Sequence, residues 1–314
     1  MARYVVTRLV QLLIISFIIS VLTFLLVHLL PGDPSVAILG PNDTPQARKE
    51  LFAQLGLNKG LLQQYATWIS NVFRGNLGQS FLTHQTVTNA LSVAFPIDLE
   101  LIVVSQVIAL LLAIPLALAS ALRPNRLFDR SATTSTFALL SVPPFVAGPI
   151  LVLIFAVGLK ALPATGFVRL SGGLGPNLKS ALLPSIVLAI GSIVVYYRLL
   201  RADLISTLQE DFVTMARSKG LSTPYILLRH ALRPSSFSLL ASAGLAIGSL
   251  FTGAFVVEAI FAMPGIGYQL VQAIYSNDYL MVQGMALVAA IAFVVVNFVA
   301  DLALTFLDPR VRRA

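Results

Sequence analysis

Six long apolar runs, roughly residues 9–30, 98–121, 133–159, 181–204, 236–258 and 281–307, divide the chain, and polar segments separate them. A helix needs about 20 apolar residues to cross a hydrocarbon core, so each run is long enough to span. The pattern predicts an all-α integral membrane protein with six transmembrane helices. Residues 31–96 contain no run of that length and read as a loop with short helices near 46–55 and 61–73.

The polar segment 198–236 stands apart, because it holds six of the 21 Lys and Arg residues. Its core, residues 210–234, reads as a short helix, a break and a second helix. Gly220 is placed to close the first helix, since glycine enters the left-handed conformation without a Cβ clash. Ser222 can cap the second, with Pro224 in its first turn, where a missing N–H costs nothing. Val213, Met215, Ala216, Ile226, Leu227 and Leu228 give the loop more apolar surface than solvation alone requires. Two readings follow: an amphipathic loop at the lipid headgroups, or a docking element for a soluble partner.

Composition agrees with the spans. The chain is 57% hydrophobic and 11% charged, against about 25% charged in soluble domains. The net charge of +8 does not point to nucleic acid, because the basic residues flank apolar runs instead of forming a patch beside aromatics. Segments 1–8, 122–132, 198–236 and 308–314 hold 14 of the 21 Lys and Arg. The longer segments 31–96, 160–180 and 259–280 hold the other seven. That bias puts both termini and the central loop in the cytoplasm. Arg3 and Arg8 precede a run too long for a signal peptide, and no A-x-A site follows, so the first run reads as a retained span.

Chemistry within the chain is sparse. There is no cysteine, hence no disulfide, thiol nucleophile or thiolate metal site. His28, His84 and His230 are too scattered for a helical metal pair. The stretch 173–180 resembles a phosphate loop, but Leu178 stands where a glycine must precede the lysine. The chain therefore has no ATP site of its own. Asn42-Asp43-Thr44 fits a glycosylation acceptor and carries no weight here. Glu100, Glu258 and Asp301 fall near span ends, so no deep ionisable group marks an ion-coupled transporter or a channel. Pro115, Pro143, Pro144, Pro149 and Pro184, with Gly148 and Gly191, read as ordinary membrane-helix irregularities. Gly244, Gly248 and Thr252 form a row, with Ser249 and Gly253 beside it, that permits close approach to another helix, in this chain or in a partner.

The loop also carries a family resemblance. Ala216-Arg217-Ser218-Lys219-Gly220 followed by Arg229-His230-Ala231-Leu232-Arg233 resembles the cytoplasmic coupling loop of bacterial binding-protein-dependent ABC importers, most closely the dipeptide and oligopeptide permeases. Where the general pattern has Glu-Ala-Ala, this chain has Thr214-Met215-Ala216, and its acidic residues lie earlier, at Glu210 and Asp211. Further similar stretches are Leu30-Pro31-Gly32-Asp33-Pro34, residues 73–78 and 257–267, Asp278-Tyr279, Val282-Gln283-Gly284, Asp301 and residues 307–312.

The resemblance implies a type I ABC importer transmembrane domain, specifically the first permease of a pair. It divides the chain into a first helix and exported loop (1–94), a transporter domain (95–307) with a coupling loop at 198–236, and a cytoplasmic tail (308–314). It implies that Glu210, Asp211, Ala216, Arg217, Lys219, Gly220 and Pro224 couple to the ATPase. The expected partners are a homologous second permease, two cytoplasmic ATP-binding subunits carrying ATP and Mg, an extracytoplasmic substrate-binding protein and the lipid bilayer. The chain itself is expected to hold no cofactor or metal. The implied setting is the bacterial plasma (inner) membrane, and the implied cargo short peptides. Nickel or glutathione is the same-family alternative. An ion-coupled transporter, a channel or a membrane scaffold would be a different class.

Overall fold

In a computed structural model, residues 2–29, 39, 44–55 and 58–307 are described, and they are mostly helical. The elements are α1 (Ala2–Leu29), α2 (Pro45–Leu55), α3 (Leu61–Phe73), α4 (Val87–Leu122), α5 (Leu127–Leu140), α6 (Pro144–Leu151), α7 (Leu174–Thr207), α8 (Asp211–Ser218), α9 (Thr223–Ile226), α10 (Leu232–Phe261), α11 (Ile266–Tyr275) and α12 (Tyr279–Leu307). Among these residues the only extended pairing is one isolated antiparallel bridge, Gln79 to Thr86.

Among the described residues five helices are long and apolar enough to cross a membrane, and six if a bent pair is counted as one span. The pair covers 127–140 and 144–158 and turns by 105° at the break. The run 133–159 reads as one unbroken span in sequence, but its helix stops at Leu140. Pro143 is extended (φ −63°, ψ 150°), as expected of a residue that itself precedes a proline. Val152–Gly158 then continues α6 as a π-helical segment.

A second difference concerns α4, which begins at Val87, eleven residues before the apolar run. Val87, Ala90, Leu91, Ala94 and Ile97 are all buried at helical spacing, while Thr88, Asn89 and Ser92 lie on the outer face. Asp98 and Glu100 are thus well inside a helix, not at its end. Asp98, to which the sequence drew no attention, is fully buried, and its Oδ1 accepts the N–H of Ile266 at the start of α11 (3.2 Å). Glu258 is also fully buried, one turn from the end of α10. The side chain of Asp301 lies outside the described residues, as do the motif at 30–34, Asn42-Asp43 and the tail 308–314.

The chain forms two compact units. One comprises residues 1–98 and 264–298. In it α1 packs on the amphipathic α3, where Phe24 meets Tyr65 edge-on (ring centroids 5.4 Å apart) and Trp68 at 6.0 Å. The Ser20 and Tyr65 hydroxyls are hydrogen-bonded at 2.7 Å. Gly78 and Gly284 bring residues 77–87 close against α12, with Gly78 facing Leu280.

The other unit comprises residues 99–263 and 299–314. Its centre is the packing of α7 on α10 and on the second half of α4, around Ala113, Ala117, Tyr196, Tyr197, Leu200, Leu204 and Leu239. Small residues allow the close approach. A Cβ on Gly253 would lie 3.1 Å from Leu188 of α7, so one side of the small-residue row is used within the chain. Thr252 and Ser249 are exposed. Apolar side chains such as Phe17 (62% exposed) and Leu111 (67%) have no partner in a water-facing protein and suit a lipid or subunit contact.

Candidate functional site

The polar element between α7 and α10 is built from its own packing. Residues Val213 and Ala216, one helical turn apart on α8, pack on Ile226 of α9, and Leu208 covers them from the end of α7. These four tie the two short helices into one body. Asp211 lies in the first turn of α8 and Arg217 in its last, both favourable to the helix dipole.

Gly220 closes α8 as the sequence predicts. It sits at φ +80°, its N–H donates to the Arg217 carbonyl (2.9 Å), and the Leu221 N–H donates to the Ala216 carbonyl (3.3 Å). These are the two hydrogen bonds of a Schellman motif. Ser222 occupies the N-cap position of α9, but its side chain makes no capping hydrogen bond. The start of α9 rests instead on Pro224 in the first turn and on the Ser222 carbonyl accepting from Ile226 N–H (3.0 Å).

The second helix is not separate from the fifth span. Residues Leu227–Ala231 form a π-helical turn that carries α9 into α10, giving one 39-residue helix, Thr223–Phe261. Pro234 falls inside this helix. It has no N–H for the His230 carbonyl, and its ring would crowd that oxygen in a regular α-helix. The widened turn immediately before it relieves the crowding. A displacement of α9 therefore passes directly into a membrane helix. At the other end, Ser235 Oγ donates to Thr207 Oγ1 (2.9 Å), fastening the start of α10 to the end of α7.

The outward face differs from the sequence expectation. Val213, Ala216 and Ile226 are buried within the element and Leu227 in the larger core, whereas Met215 and Leu228 are each 59% exposed. Phe212, Leu221 and Tyr225 join them, and the Tyr225 ring lies 5.7 Å from that of His230. Phe212 and Tyr225 escaped sequence reasoning, although Phe212 is one helical turn from Met215 on α8, beside the stripe of Val213 and Ala216. Glu210, Asp211, Arg217, Lys219, Gly220 and Pro224 are exposed around this apolar patch. Ala216 faces inward and serves the packing of α8 on α9. An exposed apolar patch rimmed by charges on a self-packed element suits a protein contact.

The same unit contains a cavity of about 510 Å³ between the α5–α6 region, α7 and α10. Its walls are largely apolar, with the hydroxyl-bearing Ser192, Ser242, Ser249 and Tyr196 among them. Tyr196 OH donates to Gln106 Oε1 (2.8 Å), and Gln106 Nε2 donates to the Ala243 carbonyl (3.1 Å), which fixes that wall. No group of three or more His, Asp or Glu side chains suited to a metal lies among the described residues.

Two family models match the chain. Residues 113–313 match the binding-protein-dependent transport system inner membrane component, and residues 1–102 match the N-terminal part of such membrane components. Among curated proteins, a putative peptide transport system permease protein of Brucella abortus (strain 2308) is 34% identical over 313 residues, with 99% of both chains covered. The di/tripeptide transport system permease protein DppB of Pseudomonas aeruginosa is 34% identical over 333 aligned residues, again with 99% of both covered. The glutathione transport system permease protein GsiC of Escherichia coli O6:H1 is 34% identical over 312 residues, at 99% of both.

Proposed function

The chain belongs to the family of binding-protein-dependent transport system inner membrane components, and on that premise we propose that it forms part of the translocation pathway for short peptides in an ATP-driven importer. It is a multi-pass inner-membrane permease. The observation that carries the proposal is the 208–231 element: a self-packed, rigid pair of helices, apolar and charged on its outer face, continuous with a membrane helix. The names of relatives similar over their whole length support peptides as the cargo. GsiC favours glutathione, itself a small peptide, as a second reading.

In this reading ATP and Mg belong to two cytoplasmic partner subunits, and a second permease completes the pathway. An extracytoplasmic binding protein delivers the cargo. The ATPases press on Phe212, Met215, Tyr225 and Leu228, and the charged rim, including Glu210, Asp211, Arg217 and Lys219, sets the register. Movement of α9 is then movement of α10, one wall of the cavity at Ser242 and Ser249. Uncharged hydroxyls on apolar walls suit a pathway that accepts peptides of varied sequence.

Gly220 provides the test. An ideal Cβ there meets nothing within 4 Å, so a substitution is strained by φ alone. A β-branched residue in that conformation costs about 1–2 kcal/mol, whereas asparagine tolerates it. In the assembled transporter, Gly220→Val is expected to lower uptake several-fold and weaken substrate stimulation of ATP hydrolysis, while the protein still accumulates. Gly220→Asn is expected to retain most uptake. Normal coupled transport by Gly220→Val would remove this element from the coupling role.

Orientation is checked separately. In this cysteine-free chain, a cysteine at Ser218 is expected to react with an impermeant thiol reagent only from the cytoplasm, and one at Thr83 only from outside. Labelling of both from one side would overturn the topology.

A further inference from the structure

A second cavity, of about 520 Å³, opens between α5 and α7 near the 208–231 element. Its walls combine apolar and cationic groups: Phe137 and Val195, both exposed, with Leu199, Arg198 and Arg201. The two arginines are in different situations. Arg201 is paired with the buried Asp129, Nη2 to Oδ2 at 2.6 Å, so its charge is neutralised. Arg198 has no carboxylate within ion-pair distance among the described residues. Its guanidinium lies over the Phe137 ring, 5.0 Å from the centroid. A cation–π contact does not use up the guanidinium N–H donors, which can still serve an oxyanion.

Helical phase adds a further cation on the same face of α5. Arg130 precedes Thr133 and Phe137 by three and seven residues on α5, so it shares their face, and it is exposed. It too has no carboxylate partner among the described residues. The groove therefore carries net positive charge where α5 begins, and apolar wall along Phe137, Val195 and Leu199. That is the complement of a phospholipid with an anionic head and acyl chains.

We propose that the α5–α7 groove binds one anionic glycerophospholipid, with Arg198 holding the phosphodiester and Arg130 the outer edge of the headgroup. A lipid fits better than a free phosphate, because the exposed Phe137 and Val195 continue the groove as an apolar surface beyond the cations. The lipid would brace α5 against α7 just before the coupling element. The site depends on this chain's own residues and not on the identity of the transported cargo.

Native mass spectrometry of the purified full chain, titrated with phosphatidylglycerol or phosphatidylcholine of identical acyl chains, tests the proposal. The wild type is expected to retain one phosphatidylglycerol in preference to phosphatidylcholine. Arg198→Gln is expected to weaken phosphatidylglycerol retention about tenfold, the factor carried by one charge-assisted hydrogen bond. Arg198→Lys keeps the charge and should keep the preference for phosphatidylglycerol. Arg123→Gln, outside the groove, should change nothing. Absence of a preference in the wild type overturns the proposal whether or not the variants fold. So does retention by Arg198→Gln equal to that of the wild type. If Arg198→Gln instead alters only the discrimination between free and amidated peptide carboxylates in uptake, the groove belongs to the cargo pathway and the proposal is wrong.

Discussion

Arg201→Ala is expected to destabilise the full-length protein by about 3–5 kcal/mol, the cost of leaving a buried charge uncompensated. An exposed ion pair would be worth about 1 kcal/mol or less, so burial decides which regime applies. Asp129 is 2% exposed and Arg201 23%. The contact is two-pronged, Nε to Oδ1 and Nη2 to Oδ2. The carboxylate also accepts the Asn125 N–H at 2.7 Å, from a turn in which Asn125 is left-handed (φ +64°). Without the guanidinium, Asp129 would lose its countercharge and its two strongest donors. The partial exposure of Arg201 lets water help, which argues for the lower half of the range. Asp129→Leu with Arg201→Met removes both charges and should recover most of the loss. Equilibrium unfolding in mixed micelles compares the three proteins. A single variant no weaker than an exposed-pair mutant would show that the clamp carries little.

That pair also marks the limit of what the sequence makes legible. The two residues are 72 positions apart, one in a polar loop and one in a span, and no local pattern joins them. The spans themselves are readable because lipid demands long apolar runs, a requirement that leaves a trace in composition. So is Gly220, because a left-handed helix stop has few alternatives to glycine. Composition says nothing about direction, however. The run 133–159 stays apolar straight through Ser141–Pro144, while the backbone turns by 105° there. The adjacent prolines were the available signal. Pro234 is the opposite case: a π turn carries the helix past it. The early start of α4 was hidden because its first three turns bury only one face, so the polar outer face broke up the apolar run. In the 208–231 element the apolar residues were readable as a set, but not which of them face inward. That division depends on α8 meeting α9, with Val213 and Ala216 against Ile226.

Gly284 shows another long-range dependence, with a smaller expected effect. It lies in α12, and a Cβ there would fall 2.6 Å from the Leu77 carbonyl oxygen and 2.8 and 2.9 Å from the γ carbons of Val87. The valine can move, but the carbonyl belongs to the backbone of a segment held on several sides. Val87 N–H donates to the Gly78 carbonyl (3.0 Å), and Gly78 N–H donates to Asn76 Oδ1 (3.1 Å). The Gly78 backbone in turn sits against Leu280. Two opposing terms then decide the sign for Gly284→Ala. Helix propensity favours alanine by about 1 kcal/mol, while overpacking against an immobile group costs about 1–3 kcal/mol, occasionally more. A contact this short on backbone belongs at the upper end, so net destabilisation of about 1–2 kcal/mol is expected. Gly191→Ala is the internal control. That glycine is also helical, in α7, and a Cβ there meets nothing within 4 Å, so only the propensity term acts and stability should hold or rise. Unfolding of both variants in the same micelles separates the terms. If Gly284→Ala proves as stable as Gly191→Ala, residues 77–87 do not pack on α12 as closely as their geometry indicates.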